Sequence, residues 1–260
     1  MRSLHLVAEL LAVTSMVLCA AAGRAQDHYP SKIVRIVTAA PGSNNDWGAR
    51  LLGDEISPSL GHRVIVENRG GLAAEVVAKS PPDGYTVLFY GPAAWTLQLF
   101  RSVGYDPVRD LAPVTLAMSS PIVLVVHPSL PVKTVKELIA LARARPGDLN
   151  YASGTIGATP FIAGELFKHM AKVRIERVPY SGTGPSVIGL LSGEVEVMFP
   201  GAGSVWHFVL QKRLRALGVA SAKPSALTPG LPPVALTVPG YESTSNIAFF
   251  VPAKTPAAII

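Results

Sequence analysis

The chain is 260 residues long, 49% hydrophobic, and carries a formal charge of +6. That length buries one large core or two small ones, and the basic balance favours anionic partners. The basic residues are dispersed from Lys32 and Arg35 through Arg109 and onward, without the dense run that nucleic acid binding wants, which argues against that class.

Residues 1–25 carry Arg2 near the start, an apolar stretch from Leu6 to Ala22, and the small residues Gly23 and Ala25 ahead of Gln26. This predicts an export signal cleaved after Ala25, although Glu9 is an awkward charge in its apolar part. The alternative is a retained anchor or a lipoprotein at Cys19, which wants a small residue where Leu18 stands. No other stretch spans a membrane. Cleavage removes two arginines and one glutamate, leaving +5, and removes the only cysteine, which excludes disulfides, thiol chemistry and cysteine–metal sites from the mature chain.

Beyond the signal, β and α patterns alternate. Strands are expected near 32–39, 63–67, 85–90, 113–117, 122–127, 149–153, 174–179, 195–199, 214–220 and 247–251, with helices near 45–59, 72–79, 134–144, 159–171, 184–192 and 203–212. Such alternation predicts sheets covered by helices on both faces. Thr134 and Glu137 form a capping box for the third helix, and Pro146-Gly147 stops it. Lys212, Arg213 and Arg215 read as a solvated helix end.

From Leu111 to Pro131 two strands follow one another with a Ser-Ser-Pro break and no helix between them. Such a stretch can cross between lobes, and Thr244 to Pro252 is a second candidate. The expected organisation is lobe one over 26–122, lobe two over 123–245, and a return to lobe one over 246–260.

Two strand–loop–helix segments stand out: Ile33 to Asp46, through Ala39-Ala40-Pro41-Gly42-Ser43-Asn44-Asn45, and Leu149 to Pro160, through Ser153-Gly154-Thr155-Ile156-Gly157-Ala158-Thr159. Taken singly, each is an ordinary tight turn. As a pair ahead of two helix patterns, their amides and helix N-termini predict a clamp for an anion such as a carboxylate.

Catalytic signatures are missing. There is no Gly-x-Ser-x-Gly, no His-Glu-x-x-His and no Gly-Lys-Ser/Thr loop; Gly182-Thr183-Gly184 lacks the third glycine of a dinucleotide fingerprint, and the six histidines are scattered. His127 reads as a strand-end hydrogen bonder. The rival to a binding protein is an enzyme acting on a small organic acid on a related two-lobed α/β scaffold, which fold alone does not separate.

The ordered series Tyr29-Pro30-Ser31-Lys32, Ala40-Pro41-Gly42, Val66-Glu67-Asn68-Arg69, Pro82-Asp83-Gly84-Tyr85-Thr86, Tyr105-Asp106-Pro107-Val108-Arg109-Asp110, Val126-His127-Pro128-Ser129, Leu149-Asn150-Tyr151-Ala152-Ser153, Ala163-Gly164-Glu165-Leu166-Phe167 and Val178-Pro179-Tyr180 closely resembles the tripartite tricarboxylate transporter receptor, or Bug, family over residues 29–260. The resemblance implies a two-lobed α/β periplasmic-binding-protein fold of the Venus flytrap, type II kind. It implies a monomeric, non-enzymatic receptor without cofactor or metal that captures a small carboxylate in the periplasm and hands it to membrane permease subunits. By position it makes Pro41, Gly42, Ser43, Asn44 and Asp46 the lobe-one wall, and Ser153, Gly154, Thr155, Gly157, Ala158 and Thr159 the lobe-two wall.

The chain departs from the family pattern in several places. Ser43-Asn44-Asn45-Asp46 adds side chains where the family often has glycines. Phe161 replaces a common histidine and Pro200 a common aspartate, which implies a less polar far end of the pocket. The loop after Asn68-Arg69 is short. Ala253 to Ile260 reads as the start of a helix, so lobe one is expected to end truncated.

Overall fold

A computed structural model describes residues 29–260; the export signal expected over 1–25 lies outside them. The strands are β1 (Val34–Thr38), β2 (Val64–Asn68), β3 (Thr86–Tyr90), β4 (Leu111–Pro121), β5 (Val123–Val126), β6 (Asn150–Ser153), β7 (Glu176–Pro179), β8 (Val197–Met198), β9 (Arg215–Val219) and β10 (Thr244–Pro252). The α-helices are α1 (Asn44–Leu60), α2 (Ala73–Ala78), α3 (Ala93–Thr96), α4 (Val135–Ala144), α5 (Thr159–Ala171), α6 (Thr183–Ser192) and α7 (Ala202–Leu210). They build two five-stranded sheets, ordered β2-β1-β3-β10-β4 and β7-β6-β8-β5-β9.

Strand alternation decides which face each side chain serves. In the first sheet Val34, Ile36 and Phe89 pack with Ala49 of α1, while Val37, Leu88 and Tyr90 pack with Ala73, Ala74 and Val77 of α2. In the second, Ile122, Leu124 and Val126 join the core with Tyr151 and Phe167, and Val123 and Val125 join the opposite one with Val187 and Leu190. Covered on both faces, β5 reads as an unbroken apolar run.

Helix ends follow their sequence signals. Ser43 caps α1 by accepting the Asp46 N–H at 3.1 Å, and Gly61 ends it in the left-handed conformation. Thr134 caps α4 by accepting the Glu137 N–H at 3.1 Å, while the Glu137 carboxylate takes the Lys133 N–H at 2.6 Å, one residue outside the usual box.

Three local expectations are revised. Ser119-Ser120-Pro121 does not break the chain: β4 runs through it, paired with β10 from Pro121↔Thr244 to Leu111↔Pro252. Proline is accommodated as the strand's last residue, where no further ladder bond is needed. The α3 segment, continued by a 3-10 turn at Leu97–Leu99, was not expected, because four residues are too few to display a helical period. Arg215 is not a solvated helix end; it lies on β9 and donates to the Leu130 and Val132 carbonyls at 2.9 and 2.8 Å. At the chain end the Pro256 carbonyl accepts from the Ile259 and Ile260 N–H groups, a single turn where the start of a helix was expected.

The chain passes from the first sheet to the second at Ile122, and β10 brings it back from Thr244. On that sheet membership we propose lobe divisions at 122/123 and 243/244, the second two residues before the expected 245/246, because Thr244 and Ser245 already pair with Pro121 and Ser120 of β4.

Candidate functional site

Four helices begin where the two lobes face each other: α1 after β1, α5 after β6, α6 after β7 and α7 after β8. Their caps, Ser43, Ala158, Gly182 and Gly201, all line one cavity, which holds about 650 Å³ of empty space counted to its open mouth. Ile122 and Ser245 line it at the segments where the chain changes sheets. A cleft between two lobes, walled by several separate chain segments, is a common place for a small-molecule site.

The lobes touch across this cavity. The Thr96 hydroxyl donates to the Gly157 carbonyl at 2.6 Å, and the Ser204 hydroxyl donates to Asn44 Oδ1 at 3.2 Å. Phe100 meets Phe161 edge to face with centroids 5.4 Å apart. A Cβ on Gly182 would stand 2.5 Å from Ala40 Cβ, and one on Gly184 would stand 2.9 Å from the Pro41 carbonyl oxygen, so the absence of side chains there permits the approach. The arrangement is closed.

Of the residues expected to form the two walls, Ser43, Asn44, Gly154, Thr155, Ala158 and Thr159 line the cavity. The others do not, and each has a different occupation. Asp46 is buried beneath the first loop: it accepts the Gly42 N–H at 3.0 Å, Arg50 Nε at 3.0 Å and Asn68 Nδ2 at 2.9 Å. Burial pushes its carboxyl up, but the hydrogen bonds from Asn68, Gly42 and Arg50 and the Arg50 charge overcome this and hold it below the usual carboxylate range. It therefore fixes the loop, and the Gly42 N–H is committed to it. Pro41 is exposed and presents its carbonyl oxygen to Gly184.

The Ser153 hydroxyl accepts Arg177 Nε at 2.7 Å, and the same guanidinium donates to the Gly154 carbonyl at 2.9 Å. Gly157 turns the second loop at φ +80° and gives its carbonyl to Thr96. Phe161 stands between Phe100 and the Arg177 guanidinium, 5.1 Å from its ring, so its apolar side chain serves the contact between lobes instead of the pocket end. Pro200 is buried, and its carbonyl accepts the Val123 N–H at 2.9 Å.

Sequence reasoning missed Gly182, Thr183, Gly201 and Ser204, which supply two further stretches of wall. Their signal was present: Val178 to Gly184 and Met198 to Ser204 repeat the strand, glycine, helix-start pattern of the two recognised loops. Tyr90 and Ser245 also line the cavity, brought there by strands with no local signature.

Among the described residues, the lining contains no Lys, Arg, His, Asp, Glu or Cys. Burial pushes the Tyr90 phenol up, and it stays a neutral donor to the Gly70 carbonyl at 2.8 Å. Positive potential comes instead from four helix N-termini, each equivalent to roughly +0.5 charge, whose first N–H groups have no carbonyl within their own helix. Asn44 adds a side-chain donor: its Nδ2 is buried and has no hydrogen-bond partner among the described residues.

A family model described as the tripartite tricarboxylate transporter family receptor matches residues 49–260. The chain belongs to this family. It is 34% identical to the protein BugT of Bordetella pertussis (strain Tohama I) over 243 residues, covering 90% of this chain and 74% of BugT. Among solved structures, R. palustris Rpa4515 with adipate superimposes with a TM-score of 0.84 at 34% identity, covering 89% of this chain and 80% of that one. MatC (Rpa3494) from Rhodopseudomonas palustris with bound malate superimposes with a TM-score of 0.83 at 28% identity, covering 89% and 81%. The fold is accordingly that of the two-lobed periplasmic solute-binding proteins, and a family member of this kind is a substrate-binding receptor.

Proposed function

We propose that this receptor captures a small carboxylate in the periplasm, closing its two lobes on it, and delivers it to the membrane permease subunits of a tripartite tricarboxylate-type transporter. The observation that carries this reading is the convergence of four helix N-termini on one cavity between the lobes whose lining, among the described residues, has no charged side chain. Backbone amides and aligned dipoles stabilise an anion there, without a lysine or arginine to hold it. The carboxylates in the two related structures, adipate and malate, support the ligand class.

The enzyme rival finds little support in the site. Ser43, Ser204, Ser245 and the lining threonines have no histidine, lysine or carboxylate beside them in the cavity to act as a general base. Export by the signal over 1–25, a monomeric state and the lack of a nucleic acid partner, suggested by the scattered basic residues, belong to the same proposal.

Isothermal titration against mono- and dicarboxylates, aromatic acids, amino acids and sugars tests it. The expected result is saturable binding of one or more carboxylates and none of the sugars. Failure of every acid with a folded protein would overturn the reading.

A further inference from the structure

We propose that Asn44, held in place by Ser204, reads an uncharged oxygen on the ligand, so that the preferred carboxylates carry a hydroxyl or oxo group. The inference rests on the carboxylate reading above and assigns what recognises the rest of the molecule. Asn44 lines the cavity, and its amide is fixed at one end only: Oδ1 accepts the Ser204 hydroxyl at 3.2 Å, while Nδ2 is buried without a partner. A buried donor left unpaired destabilises the closed form, and an acceptor on the ligand removes that penalty.

The surroundings make room for this amide. A Cβ at Gly201 would stand closer to Nδ2 than any real contact, and one at Gly203 would lie 2.9 Å from Oδ1. Glycine at both positions lets the second lobe seat the side chain as the cleft closes. Because Asn44 opens α1 of the first lobe and Ser204 lies on α7 of the second, their bond exists only when the lobes meet, and the donor is presented only in the state that retains ligand.

The amide offers a single neutral donor, and a hydroxyl or carbonyl oxygen matches it. The carboxylate is left to the helix N-termini.

The test is calorimetry with acids paired by carbon skeleton: propionate with lactate and pyruvate, and succinate with malate. The wild-type protein should bind the oxygenated member about 5- to 150-fold more tightly, the range expected when a buried donor is paired rather than orphaned. Asn44→Ala should bring each ratio to within about twofold while the plain acid loses little. Ser204→Ala, which leaves the donor but frees its orientation, should reduce the ratio partway and serves if Asn44→Ala does not fold. Equal affinities within each pair for the wild-type protein, or ratios unchanged in both variants, would overturn the assignment of Asn44 while leaving the carboxylate reading intact. An equal loss for both members in Asn44→Ala would mean that the amide holds the carboxylate itself. Failure of every acid in every pair would overturn both readings.

Discussion

Replacing Gly182 by alanine places one methyl group in the narrowest contact between the lobes. The backbone there is extended, at φ 174° and ψ −177°, so alanine adopts it without strain. The added Cβ would lie 2.5 Å from Ala40 Cβ, against roughly 3.5–4.0 Å for an ordinary carbon contact. Relief requires the lobes to part by about 1 Å, loosening the Thr96–Gly157 and Asn44–Ser204 bonds nearby, or the strain of overpacking must be borne in place, at about 1–3 kcal/mol. That penalty falls on the closed state alone, because Ala40 and Gly182 belong to different lobes. A Gly182→Ala protein should melt like the wild type without ligand, yet bind the best acid of the calorimetric panel about 5- to 150-fold more weakly. Small-angle scattering with that acid should show a larger radius of gyration than for the liganded wild type. Affinity within about twofold of wild type, together with an unchanged radius, would refute the closed contact and the part assigned to glycine in it.

Other perturbations separate the loop's scaffold from its binding groups. Asp46→Asn removes the ionised acceptor of the Gly42 and Asn68 donors and should lower stability in urea by about 1–3 kcal/mol. Since the folded-state pKa of Asp46 is depressed, its contribution is complete above the unfolded value of about 3.9 and is lost as pH falls through the lower folded value. Wild-type stability should therefore drop more than that of Asp46→Asn across that acid window, and equal slopes would contradict the assignment. Thr96→Val deletes the hydroxyl that bridges to Gly157 and should weaken binding of all acids by about fivefold, the equivalent of ~1 kcal/mol; no change would show that the bridge adds nothing to closure. Gly157→Pro forces a φ near −65° where the loop needs +80° and should weaken binding well over about tenfold, whereas Ser153→Ala, whose hydroxyl is engaged by Arg177, should cost about tenfold or less. The reverse order would mean that side chains, not the helix starts, hold the anion.

Much of the architecture was legible because it depends on local patterns: the apolar runs of the strands, the Ser43 and Thr134 caps, and the helix-free stretch around Pro121 that carries the chain between sheets. The two loops were legible for the same reason. Which of their residues face the cavity was not, because that depends on partners far along the chain. Ser153 is turned to Arg177 by the pairing of β6 with β7, and Asp46 is drawn under the loop by Asn68 at the end of β2. Phe161 reads as a lost polar group in sequence but acts through Phe100 of the other lobe. Gly182 and Gly201 stand in the same strand-to-helix setting as the two loops, but Gly182-Thr183-Gly184 is read in sequence against a dinucleotide fingerprint it does not complete, and nothing local shows that it faces the other two loops.

The most direct test of anion capture by helix N-termini is titration with a carboxylic acid and its carboxamide, which have nearly the same shape and differ in charge. With four helix starts and no basic side chain around the cavity, the acid that binds best should lose measurable affinity on conversion to the amide, and the acid's affinity should hold from neutral pH down to its own pKa. An amide that binds as tightly as its acid would contradict the claim that this cleft is built for a carboxylate.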